Sequence, residues 1–169
     1  MFTYQHFIWV GISVALIVVS LILLKKYKVS LKILLTICCG ICIASELIKI
    51  FTMIEIVPNE AGTAMYPYIE LQHLPVHLCS IQIILIFFCR FAKDSKLKNM
   101  IYGFMYVTCS IGAAFAIALP SVFNTTITAN QAFTHPIAYQ TFIYHAMLIV
   151  LGLYIPMSKE VDLKFKNYW

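Results

Sequence analysis

The chain has 169 residues, of which 62% are hydrophobic and only 11% charged, and its formal net charge is +5. No domain of this size keeps such a surface in water, so an ordinary soluble enzyme or binding module is excluded and the lipid bilayer becomes the solvent. The positive balance does not point to nucleic acid, because Lys and Arg fall in short clusters beside apolar runs and not along one polar face.

The first apolar run, Phe7 to Leu24, follows an uncharged start, lacks a small-residue cleavage site and carries its positive charges after it. It is therefore expected to be a retained span and not a signal peptide. Lys25, Lys26, Lys28 and Lys32 lead into a second run, Leu31 to Ile54, which contains a C-x-x-C spacing at Cys39 and Cys42. That spacing lies far from any thioredoxin-like pattern and is read as packing. A polar stretch from Glu55 to Glu70 has no Lys or Arg. The third run, Leu71 to Phe91, ends in a basic cluster of Arg90, Lys93, Lys96 and Lys98.

The fourth run, Met100 to Leu119, presents a small-residue face at Gly112, Ala113, Ala114 and Ala116, suited to close helix contact. Pro120 to Pro136 again lacks basic residues and contains the sequon Asn124-Thr125-Thr126, a short match that is common by chance. The fifth run, Ile137 to Met157, is followed by Lys159, Lys164 and Lys166. Of the 12 basic residues all but Lys49 lie in three segments that alternate with segments lacking them. The expectation is an all-α polytopic transmembrane helix bundle forming a single domain over residues 1–169. It has five spans, the N-terminus outside and the C-terminus in the cytoplasm, in the cell membrane. The six cysteines lie in or beside apolar runs, so no disulfide framework is expected.

Ionisable groups in hydrocarbon cost roughly 3 kcal/mol each and mark pathways or sites. At about 1.5 Å per residue, Glu46 and Lys49 lie roughly 12 and 8 Å in from the outer end of the second span. His77 and His145 lie about 9 and 12 Å below the outer starts of the third and fifth. Groups from three helices at one level predict a polar pocket in the outer half of the bundle. The plainer alternative is that Glu46 and Lys49 neutralise each other while the histidines serve as packing glue.

The segment HLPVHLCS, His73 to Ser80, is the densest chemistry in the chain. Pro75 suits a first helical turn, whose free amides could hold an anion or a carbonyl oxygen. A kinked helix through Pro75 would instead bring His73 and His77 together at i, i+4, but two histidines are a weak metal signal and neither metal nor cofactor is expected. Cys79 is a candidate nucleophile, with packing as its plainer role, and His145 is a better-placed base than His77, two residues away on the same helix.

Glu46-x-x-Lys49, the polar loop, LPVHLCS and the later His145 together resemble the YwaF-like family of bacterial integral membrane proteins, over the second to fifth spans. Transmembrane protein 164, thought to be a distant relative, is described as a cysteine-dependent phospholipid acyltransferase, and the resemblance implies that activity here. His77 matches the motif of that relative, whereas its cysteine falls where this chain has Val76, with Cys79 further on. YwaF-like proteins usually continue beyond the His-bearing span, so the resemblance also implies a shortened member or a fragment.

The expected function is a pocket acting on a lipid or other amphiphilic substrate by acyl transfer or hydrolysis. His77, Cys79 and His145 would be catalytic, and Glu46, Lys49, His73 and Gln82 would bind substrate. The alternatives are a proton-coupled carrier or solute-binding membrane protein, and a non-catalytic accessory subunit. Expected partners are the bilayer, the substrate and a second copy of the chain, with no nucleic acid.

Overall fold

A computed structural model describes residues 2–59, 61–69, 78–120, 122–125 and 127–163. His73, Pro75 and His77 lie outside the described residues, as does the expected start of the third span.

α1 (Tyr4–Lys26) and α2 (Leu31–Met53) are each 23 residues long. Each begins where a hydroxyl can take an orphan amide: Thr3 accepts from His6 N and Ser30 from Ile33 N. α1 ends on Lys25 and Lys26, which complement the negative end of its dipole. A short β-hairpin follows α2, with β1 (Glu55–Pro58) antiparallel to β2 (Met65–Tyr68) and Glu55 opposite Tyr68. α3 (Leu78–Phe91) precedes α4 (Lys96–Val107), a π-helical turn (Thr108–Gly112) and α5 (Ala113–Ala118), which together make one continuous helix of 23 residues. The short α6 (Val122–Thr125) and a 3-10 turn (Ala129–Gln131) lead to α7 (Pro136–Ser158), which starts on an N1 proline and ends at Lys159 in the left-handed region.

Among the described residues, four helices are long and apolar enough to cross a membrane, and α3 is a shorter apolar helix. The molecule is thus a polytopic membrane helix bundle. α7 is its axis, with 56% of its most apolar stretch buried against 17% for α1. One core joins Leu35, Cys38 and Cys42 of α2 to Ile86 of α3, Met105 of α4 and Leu148, Leu151 and Ile155 of α7. A second gathers around Trp9, which stacks on Phe142 at 5.1 Å, meets Tyr139 edge-on at 4.8 Å and donates its indole N–H to Ala132 O at 2.8 Å.

The three basic segments meet at one end of the bundle. Tyr154 of α7 donates to Val29 O in the α1–α2 connection, Glu160 accepts from Leu31 N at 2.9 Å, and one cavity is lined by Lys32, Lys93, Lys98 and Glu160. The hairpin lies at the other end of α2.

Three sequence expectations need correction. The stretch after α2 is not a plain loop. Asn59 accepts Thr63 N on its side chain at 2.8 Å and closes a turn containing Gly62 at φ +67°, so the flanking residues pair as strands. Lys96 and Lys98 lie in the first turn of α4 and not in a connection, because the Ser95 hydroxyl accepts Lys98 N at 3.2 Å and starts the helix early. Finally, the fourth span is not uniformly α-helical: it carries the π-helical turn, whose extra residue shifts the face presented by Thr108 and Cys109.

Candidate functional site

α2, α3, the π-helical turn and α7 bring their polar side chains together in an otherwise apolar bundle. On α2, the Glu46 carboxylate and the Lys49 ammonium pair at 2.7 Å, as i, i+3 spacing allows, and both side chains are mostly buried. One residue before, Ser45 is buried and receives a hydrogen bond from Gln140 Nε2 of α7 at 2.7 Å. On α7, Tyr144 donates to Cys79 O of α3 at 2.6 Å. Tyr144 thus ties α7 to the start of α3, as Gln140 ties it to α2.

Gln82 is 1% exposed. Its amide donates to Thr108 Oγ1 at 2.9 Å while its carbonyl accepts from Cys109 Sγ at 3.2 Å. A buried amide has to be satisfied at both ends. The π-helical turn presents both partners on consecutive residues, which a regular helix would turn about 100° apart. Replacing Gln82 by Leu should cost about 1–3 kcal/mol, since the Cys109 thiol loses its acceptor and the Thr108 hydroxyl, which still donates to Phe104 O, loses its donor. Thermal unfolding in detergent checks this, with Gln82→Glu as a comparison that keeps the shape.

His145 lies beside Tyr144, its ring edge-on at 5.4 Å, and its Nδ1 is 2.6 Å from Thr141 O on its own helix. A carbonyl oxygen can only accept, so Nδ1 carries the proton and Nε2 holds the lone pair that a base would use. Cys79 is half-buried, whereas Cys38, Cys39, Cys42, Cys89 and Cys109 are buried, and all six are free thiols.

Of the residues singled out from sequence, the structure pairs Glu46 with Lys49 on α2, bonds the Cys79 carbonyl to the Tyr144 hydroxyl, and holds Gln82 against the π-helical turn. His145 is adjacent along α7, with its one described polar contact made to its own helix. His73 and His77 lie outside the described residues. Among the described residues no group of three or more His, Cys, Asp or Glu is placed to hold a metal ion.

Sequence reasoning missed Tyr144, Gln140, Thr108 and Cys109, although a cluster of polar residues in the fifth run, Gln140, Thr141, Tyr144 and His145, offered a signal. It also missed His6, placed before the first span but buried inside α1, where Nε2 donates to Ile117 O at 3.1 Å and Nδ1 has no partner among the described residues.

A family model described as the TMEM164 family matches residues 1–169. The chain belongs to the TMEM164 family. Comparison with curated proteins and with solved structures gives no match. With its long apolar helices, this membership makes the chain a multi-pass integral membrane protein.

Proposed function

We propose that this TMEM164-family protein acts on a lipid acyl ester, with Cys79 as nucleophile. The observation that carries the reading is the contrast among the thiols. Five of the six are buried, and the half-buried one, Cys79, lies at the start of α3, where its backbone carbonyl accepts from the Tyr144 hydroxyl of α7. A catalytic thiol has to be reachable, and a thiol kept only for packing gains nothing from being so.

In this reading the Cys79 sulfur attacks the ester carbonyl carbon while a histidine, His145 through Nε2 or His77, takes the thiol proton. The tetrahedral intermediate collapses with cleavage of the carbon–oxygen ester bond, and the departing alkoxide takes the proton back from the histidine. The thioester is then opened by the hydroxyl of a lysolipid, or by water, which regenerates the thiol. His73 and Gln82 would shape the substrate side, with Gln82 acting through Thr108 and Cys109. Within the family, LPVHLCS favours a YwaF-like bacterial relationship. The shared end of the three basic segments favours a cytoplasmic placement for that end, and so an outer placement for the thiol in the cell membrane.

The carrier reading has less support, because Glu46 is held by Lys49 at 2.7 Å instead of standing free to exchange protons. Purified protein in liposomes with a labelled diacyl phospholipid and a lysophospholipid acceptor is the direct test. Acyl exchange should fall at least 100-fold in Cys79→Ala and persist in Cys42→Ala. Turnover retained in Cys79→Ala, or pH-dependent solute flux with no turnover in the unaltered protein, would remove the proposal.

A further inference from the structure

A second polar feature lies at the basic end, away from Cys79. The first turn of α2, the last turn of α3, the start of α4 and the segment after α7 enclose a cavity of about 680 Å³. Its floor is apolar and belongs to the core: Leu31, Leu35, Cys89 and Tyr102 are all buried. Its rim carries Lys32, Arg90, Lys93 and Lys98.

Four cations face two carboxylates, Asp94 and Glu160, and both carboxylates are engaged. Asp94 pairs with Lys98 at 3.0 Å, and Glu160 accepts Leu31 N at 2.9 Å. Arg90 is fixed in place by its Nε donating to Thr36 Oγ1 at 2.5 Å and by its guanidinium lying 5.1 Å from the centre of the Phe91 ring. Lys32 and Lys93 enter no ion pair among the described residues. A concavity with a surplus of two positive charges repels itself until an anion fills it, and low-dielectric walls strengthen the field inside.

We propose that this cavity binds a phosphate-bearing anion, either the headgroup of an anionic phospholipid or free phosphate, at a site separate from the thiol chemistry. Lys32, Lys93 and Arg90 supply the charge, with Arg90 able to present a planar fork to two phosphate oxygens. The apolar floor suits the glycerol and first acyl carbons of a lipid and offers nothing to a hydrated inorganic ion, which favours the headgroup. The site does not depend on the acyl-transfer reading.

The test is a titration of the full-length protein in detergent with dioleoyl phosphatidylglycerol, with inorganic phosphate and with dioleoylglycerol, which lacks phosphate. Thermal unfolding and lipid retention in native mass spectrometry are the readouts. Phosphatidylglycerol should raise the melting temperature saturably and remain bound in a one-to-one complex. Lys32→Gln with Lys93→Gln should weaken it about tenfold or more. Lys32→Arg with Lys93→Arg should retain it, and Lys25→Gln with Lys26→Gln, in the last turn of α1 but outside the cavity, should leave it unchanged. If the double Gln variant does not fold, Lys93→Gln alone, on the exposed α3–α4 connection, should still weaken binding several-fold. Saturation by phosphatidylglycerol only identifies the headgroup, and equal saturation by inorganic phosphate identifies the free ion. Equal binding of dioleoylglycerol, no saturation at all, or equal weakening by the Lys25 and Lys26 substitutions overturns the site.

Discussion

Lys49→Leu should destabilise the protein by about 3 kcal/mol, Glu46→Leu by roughly half as much, and the double replacement by close to nothing. The pair is closed on itself at 2.7 Å with 15% and 25% of the Lys49 and Glu46 side chains exposed, so removing one partner strands the other charge in apolar surroundings. The two single losses differ because of reach. Glu46 lies about 10 Å along α2 from its end at Met53 and has a short side chain, whereas Lys49 lies about 6 Å from that end and can extend its long stem toward water. A stranded carboxylate is therefore the costlier of the two. Removing both charges together takes away the desolvation cost along with the attraction, as buried pairs elsewhere have shown. SDS titration in mixed micelles, run as a double-mutant cycle, gives all three values. A double variant as unstable as Lys49→Leu would mean that Glu46 has a second partner. If acyl turnover survives in a stable double variant, the pair specifies helix packing and takes no part in the chemistry.

The spans were legible because the bilayer imposes a simple length rule and the basic flanks mark where it is satisfied. α1, α2 and α7 begin and end within three residues of the expected boundaries. The grouping of Lys25 to Lys32, Arg90 to Lys98 and Lys159 at one end was legible for the same reason. The hairpin was hidden because Pro58 and Pro67 each remove a ladder donor and argue against strands, while its turn depends on one asparagine side chain closing a loop over Gly62. The π-helical turn left no mark, because a one-residue change in hydrogen-bond spacing alters neither hydropathy nor length. At the site, the Glu46–Lys49 pair followed from spacing alone. The roles of Tyr144 and Gln82 did not, since they depend on contacts across helices that are 65 and 26 residues apart in the chain.

A close approach of α7 to the fourth span explains the second large effect. On the α7 side it depends on Gly152: a β-carbon there would strike Ser110 Oγ and come within 3.0 Å of Ser110 N and 3.2 Å of Cys109 Cβ. The Ser110 hydroxyl, which donates to Tyr106 O at 2.7 Å, could rotate away, but the backbone nitrogen cannot. Gly152→Val should therefore cost about 3 kcal/mol or more, by pushing the π-helical turn off α7. Gly152→Ala should cost about 1–2 kcal/mol, because the strain outweighs the roughly 1 kcal/mol that alanine gains over glycine in a helix. Adding Ser110→Ala should recover only part of the loss, since two of the three contacts remain. Gly40 on α2 is the matched comparison: nothing lies within 4 Å of its added β-carbon, so Gly40→Ala should stabilise by up to about 1 kcal/mol. Unfolding of the four variants in one detergent separates the cases, and Gly152→Ala behaving like Gly40→Ala would refute the tight contact. The displacement should also loosen the hold of Thr108 and Cys109 on Gln82. If Gln82 supports the surroundings of Cys79, Gly152→Ala should lower acyl turnover more than it lowers stability at the assay temperature. Stability and turnover falling strictly together would confine the π-helical turn to packing.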